Sequence, residues 1–243
     1  MPAALKPLST RSALLSLLMS AQPPVLTARE LVLGAGVVGY PEATVRVALS
    51  RMTAAGDLVK AQTHYLLSER LVERQRAQEE AVAPHLIAWN GDWEMVVVTA
   101  TGREAAERAE LRTRLTDLRL AELREGVWTR PANLDRAWPA ELDGVVARFI
   151  SRPEGDPAAL ATRLWDLDDW AATARDRLAA TGASDPTLRF TACATSVRHL
   201  LADPVLPEDL LPPDWPGAEL RASHLAYKEW LTSMRRSLAE EAS

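Results

Sequence analysis

Two arginines, Arg46 and Arg51, stand in the stretch Thr44-Val45-Arg46-Val47-Ala48-Leu49-Ser50-Arg51-Met52, with Thr44, Val47 and Ser50 around them. Guanidinium groups with short polar and apolar neighbours are the set that reaches base edges and phosphates when a helix enters the major groove of DNA. The spacing also says which residues are free to do so. Val45, Ala48, Leu49 and Met52 fall at i, i+3, i+4 and i+7, one buried helical face, and the other side chains project elsewhere. Arg46 also follows Glu42 by four residues, the spacing of a helical ion pair, and both uses stay open. Lys60, Gln62, Thr63 and His64 form a second polar set a few residues on, and Arg11 is a further candidate phosphate contact near the start of the first helix.

The elements that must hold these residues are legible nearby. Ser9 or Thr10 can cap a first helix bearing Leu14, Leu15, Leu17, Leu18 and Met19, stopped by Pro23-Pro24. Thr27-Ala28-Arg29-Glu30 is a capping-box pattern that opens a short second helix with Leu31, Val32 and Leu33. Gly34 to Gly39 reads as a loop. Pro41 suits the first turn of a third helix, Pro41 to Ala55, which Gly56 ends. Leu58-Val59-Lys60 and His64-Tyr65-Leu66-Leu67 then read as a small hairpin. Three helices and a hairpin follow the order of a winged helix-turn-helix, and double-stranded DNA is the expected partner. The competing reading is a winged helix used for protein contacts, with Arg46 and Arg51 merely solvated.

Charge is divided along the chain. The total is -5, yet residues 1–75 carry eight Lys/Arg against five Asp/Glu, and the remainder carries twenty against twenty-eight. A basic segment on an acidic chain is the pattern of an attached nucleic-acid module. Tryptophan divides the same way, because all 8 Trp lie at Trp89 or later. With 47% hydrophobic and 25% charged residues the chain is too apolar to be disordered. A single cysteine, Cys193, excludes an internal disulfide framework and a Cys-cluster zinc site. No apolar run is long enough to span a bilayer. Met1-Pro2-Ala3-Ala4-Leu5-Lys6 leads into an amphipathic stretch and not a signal sequence, so a cytoplasmic location is expected.

Four segments follow: a winged-helix domain over 1–75, a helical connector over 76–88 ending at Pro84, a middle domain over 89–155 and a helical domain over 156–243. In the middle domain, Trp93 to Val98 is an apolar inner strand, Arg103 to Leu118 a helix, and Gly126 to Pro131 and Val145 to Ile150 strands. That order suggests a small ferredoxin-like α+β domain. Beyond Pro157, one helix carries Leu160 through Leu178 and a second spans Thr187 to Leu201. A rigid proline-rich connector from Asp203 to Gly217 leads to a last helix, Ala218 to Glu240. The expected class is α+β, rich in helix.

Catalytic constellations are missing. His85, His199 and His224 are scattered, no Gly-rich phosphate loop occurs, and His199 lies nearly opposite Cys193 on a helix. Cys193 reads as a small buried hydrophobe. Asp166-Leu167-Asp168-Asp169 can hold a metal or cap a helix, and capping is the expected role. No enzyme activity, metal or cofactor is expected.

Taken together, these residues resemble the PaaX family of bacterial transcriptional repressors, which control phenylacetate degradation genes. The likeness runs through Ser12-Ala13-Leu14-Leu15, Thr44 to Met52, Trp89-Asn90-Gly91-Asp92-Trp93, Gly126-Val127-Trp128-Thr129-Arg130-Pro131, Leu164-Trp165-Asp166-Leu167, Asp203-Pro204-Val205-Leu206-Pro207 and Leu210 to Gly217. It implies an N-terminal winged helix, a Cas2-like middle domain and a helical C-terminal domain. It further implies a homodimer on a DNA operator, released by phenylacetyl-CoA or another acyl-CoA. The first strand of the middle domain ends Val96-Val97-Val98-Thr99 without the acid a metal nuclease of that fold needs. The wing departs from the family, which carries two or three arginines there, whereas Lys60-Ala61-Gln62-Thr63-His64-Tyr65 offers one lysine. Lost phosphate contacts weaken binding and flatten its salt dependence, so a protein-interaction scaffold that no longer binds DNA is the alternative. The resemblance names no ligand-pocket residues. The tryptophans can stack an adenine or hold a phenylacetyl group, but core packing is their expected role. Arg103, Arg108, Arg112 and Arg114 can meet CoA phosphates, or form a solvated face with Glu104, Glu107 and Glu110.

Overall fold

The computed structural model describes residues 6–240, and the leader reading on Met1 to Leu5 lies outside them. Helix α1 (Thr10–Met19) starts where the Ser9 hydroxyl accepts the Ser12 N–H at 3.2 Å. Strand β1 (Val25–Thr27) follows, then α2 (Ala28–Val37), whose capping box is complete: Thr27 Oγ1 accepts the Glu30 N–H at 3.2 Å and the Glu30 carboxylate accepts the Thr27 N–H at 2.7 Å. Helix α3 (Glu42–Ala54), β2 (Leu58–Ala61), β3 (His64–Leu67) and α4 (Glu69–Val82) complete the first stretch. The three strands form an antiparallel sheet in the order β1-β3-β2.

Several expectations change here. The second helix is longer than expected, running through Gly34 and Gly36, because Gly34 packs closely on Leu17 and Ala35 is buried. The turn comes instead at Gly39, whose φ of +88° suits glycine and where a Cβ would stand 2.8 Å from Thr187 Oγ1. Pro41 caps α3 and is not in its first turn. Gly56, with φ +73°, ends α3 as expected. Strand β1 was not expected at all.

The middle stretch carries β4 (Trp93–Val98), α5 (Ala105–Asp117), β5 (Ala121–Arg124), β6 (Val127–Pro131), a 3₁₀ turn at Ala140–Leu142 and β7 (Val146–Ser151). Its antiparallel sheet has the order β5-β6-β4-β7. That is the ferredoxin-like strand order, with a connector and a 3₁₀ turn in the place of a second helix. The apolar β4 is an inner strand; β5, broken by a register shift between Glu122 and Arg124, was not foreseen.

Four helices make up the rest: α6 (Pro157–Leu164), α7 (Leu167–Thr181), α8 (Pro186–Leu201) and α9 (Gly217–Glu240). The single helix expected over Leu160 to Leu178 is two, because Trp165 is extended and Asp166 starts a new cap, its Oδ1 accepting the Asp169 N–H at 3.1 Å. The proline-rich connector holds one 3₁₀ turn, Glu208–Leu210, where no regular structure was expected.

Contacts group the chain into two compact units: one contains the chain up to Ala83, Ala172–Leu201 and Pro216 onward, and the other contains Pro84–Ala171 and Ala202–Trp215. The first unit's core joins Leu14, Leu18 and Leu49 with Phe190 and Cys193 of α8 and Tyr227 and Leu231 of α9. In the second, Val96, Leu115 and Trp128 pack between sheet and α5, and Trp93 packs with Leu206 and Leu210 of the connector. The mixed class, rich in helix, is as expected.

Candidate nucleic-acid interface

Helix α3 buries Val45, Leu49 and Met52 and exposes Thr44, Arg46, Val47, Ser50 and Arg51. Val47 is 51% exposed and stands among these polar side chains. A cleft lies along each side of this ridge. One brings Arg11, Thr44, Val47 and Arg51 together with Thr10 and Asp57. The other brings Arg46 and Thr63 together with Arg29 and Glu42. In the sequence Arg29 is marked only by its capping box, because its place beside Arg46 depends on how α2 meets α3. Both readings of Arg46 have a physical basis: its Nε donates to Glu42 Oε1 at 2.7 Å, yet both side chains are about 60% exposed, and such a pair contributes only about 0.3–0.5 kcal/mol. A phosphate or a guanine edge can displace it cheaply.

The β2–β3 hairpin turns at Gln62-Thr63, with Gln62 at φ +54°. Lys60, Gln62, Thr63 and His64 are all exposed. The Lys60 ammonium lies 5.9 Å from the Tyr65 ring centre, and Thr63 Oγ1 is 3.3 Å from His64 Nδ1.

Beneath the ridge, Asp57 is buried at 6% exposure and holds two arginines. Arg11 Nε donates to Oδ2 and Arg70 Nη2 to Oδ1, both at 2.8 Å. The Arg11 hydrogen bond is the main reason the Asp57 carboxyl titrates below its usual range, against the opposing effect of burial. Arg11 is therefore a brace between α1 and the end of α3 as well as a lining residue of the first cleft.

Behind α1, a cavity of about 270 Å³ opens among α1, α4, α8 and α9. Leu15, Met19 and Val197 give it apolar wall, and Arg11, Arg74, Arg198 and Lys228 give it cations. Arg74 is held below the usual arginine range, first by partial desolvation and then by the charges of Arg198, Arg11 and Arg70. Burial pushes His224, another lining residue, down to about 4.

Elsewhere the chemistry-bearing residues are structural. Burial raises the Cys193 thiol to about 11, so with His224 neutral no thiolate–imidazolium pair forms. Among the described residues no three metal-ligating side chains cluster. On α5, Arg112 pairs with Glu122 and Arg114 with Glu110 at 2.8 Å, while Arg108 donates to the Arg103 carbonyl at 2.7 Å. The tryptophans pack against one another: Trp170 stacks on Trp215 with centroids 4.4 Å apart, and Trp93 meets Trp165 at 6.5 Å. Arg130 is wholly buried and donates to Asn133 Oδ1 at 2.8 Å, to the Pro131 carbonyl at 3.0 Å and to the Val205 carbonyl at 3.1 Å. It thereby ties β6 to the Asp203-Pro204-Val205 connector. Burial pushes its guanidinium down to about 9.

Residues 9–71 match the family pattern described as PaaX-like protein, residues 87–150 the PaaX protein central Cas2-like domain, and residues 165–241 the PaaX-like protein C-terminal domain. Comparison with curated proteins finds no match. Among solved structures the chain is similar to the uncharacterized protein Rv0674 from Mycobacterium tuberculosis, with 45% sequence identity, a TM-score of 0.82, and coverage of 94% of this chain and 98% of that one.

Proposed function

The chain belongs to the PaaX-like protein family, and from that premise we propose that it is a transcriptional repressor that binds double-stranded DNA and leaves its operator when phenylacetyl-CoA or another acyl-CoA binds. The observation that carries this reading is the exposed ridge of α3, with Arg46 and Arg51 on opposite flanks and an arginine-lined cleft on either side. In this proposal α1 to β3 are a winged helix, α3 the recognition helix and the β2–β3 hairpin the wing. Thr44, Val47 and Ser50 would meet base edges and Arg11 a phosphate. Lys60, Gln62, Thr63 and His64 would give the wing a weak, single-charge grip.

A homodimer on paired half-sites fits this role, because two helices separated by one DNA turn read an operator more selectively than one. The apolar cleft of the second unit, where Phe149 and Ile150 are 53% and 66% exposed, supports a subunit contact. No helix among the described residues is long and apolar enough to cross a membrane, and we place the protein in the cytoplasm with the DNA it would read. A role without catalysis suits the buried, neutral state of Cys193 and His224.

The test is the double variant Arg46→Ala/Arg51→Ala. Each bidentate base contact is worth about 1–3 kcal/mol, so losing two should lower operator affinity at least ~30-fold while circular dichroism and thermal unfolding stay unchanged. Unaltered operator affinity in a folded double variant would remove α3 from the interface. A chain with no preference for any DNA would point to the scaffold alternative.

A further inference from the structure

We propose that the cavity among α1, α4, α8 and α9 is a binding site for an amphipathic organic anion, a short aryl or acyl body carrying a carboxylate or phosphate. Its size suits such a body: about 270 Å³ holds a phenyl or short acyl group and leaves the head at the mouth. Its charge is lopsided. Four cations line it, Arg11, Arg74, Arg198 and Lys228, against one carboxylate, Glu79. Glu79 is already engaged, accepting from Gln22 at 2.8 Å and standing 3.6 Å from Lys228. Arg74 and Arg198 have no ion-pair or hydrogen-bond partner among the described residues, and their charges oppose each other. A bound anion would relieve that repulsion and accept their forked donors.

Polar groups at the wall are also unsatisfied. Tyr227 lines the cavity at 3% exposure with a hydroxyl that has no hydrogen-bond partner, and His224 leaves a buried Nδ1 without one. Buried polar groups are nearly always paired, so two orphans on one cavity mark the place of a missing partner. Arg11 extends the consequence to α3. It lines both this cavity and the cleft beside Arg51, and its Nε holds Asp57. An anion that draws Arg11 inward loosens that brace. That the ligand is the regulator's effector rests on the reading of the chain as a ligand-released repressor; the site itself does not.

The test is calorimetric titration of the full chain, without DNA, with phenylacetate, phenylacetyl-CoA and coenzyme A as separate probes. The aryl acid tests the pocket with a small head, the thioester tests it with a phosphate-bearing one, and coenzyme A tests the rim alone. At least one aryl probe should bind, weakened ~10-fold or more by Arg74→Ala/Arg198→Ala and measurably by Tyr227→Phe, but not by Arg112→Ala on α5. Binding that ignores the cavity variants overturns the site, as does binding of no probe. DNA release is read separately by anisotropy: a probe that binds through Arg74 and Arg198 yet leaves DNA affinity unchanged keeps the site and overturns its role as effector site.

Discussion

His224 shows how burial, with the nearby charge of Lys228, turns a residue type associated with chemistry into a determinant of stability. Its imidazole titrates near 4 in the fold and near 6.5 when freed, mainly because desolvation disfavours the charged form. Between those values the unfolded chain binds more protons, so stability is full above pH 6.5 and is lost as pH falls toward 4. The slope approaches about 1.4 kcal/mol per pH unit for one group. Urea unfolding at pH 7 and pH 5 should show this loss in the native chain and a smaller one in His224→Gln. Equal losses in both would show that His224 carries its proton freely. Asp57 acts in the same direction but lower on the pH scale: its contribution is present at neutral pH and fades only in acid, as the carboxylate that holds Arg11 and Arg70 becomes protonated.

At the level of elements, the local signals were the legible ones. The Thr27–Glu30 capping box, the Val45–Leu49–Met52 face and the Gly56 stop each depend on residues within one or two turns, and each stands as read. Strand β1 did not announce itself, because three residues gain strand character only by pairing Val25 with Leu66, far along the chain. Arg130 was hidden for a related reason. Arginine in a strand motif suggests surface, and its burial is made tolerable by the carbonyls of Pro204 and Val205, which arrive from far along the chain. That link carries a prediction. Arg130→Met should leave Asn133 Oδ1 without its Arg130 donor, at about 1–3 kcal/mol, while the Val205 carbonyl keeps only the Asn133 Nδ2 bond. Thermal unfolding followed by tryptophan fluorescence should shift down by several degrees, since every Trp except Trp230 lies in the second unit. An unchanged midpoint would mean that β6 and the connector hold together without it.

For the whole molecule, the charge split along the chain was readable in advance, whereas the sharing of α8 and α9 with the N-terminal core was not. Helical periodicity reports that a face is buried but not against what. The cavity was invisible for the same reason, since its four helices are distant in sequence. In the proposed mechanism, that shared core would link the cavity to α3 through α1 and the Arg11–Asp57 pair. A ligand can move DNA affinity only by its own preference for one state over the other, so coupling must appear in both directions. The central claim, sequence-specific DNA binding, is tested most directly by fluorescence anisotropy of the full chain with DNA from its own upstream region against random DNA at two salt concentrations, with and without phenylacetyl-CoA. A preference for the upstream DNA that survives the higher salt is expected, since base contacts and not a basic wing would supply it, together with release by the ligand. Equal affinity for both DNAs at both salts would contradict it.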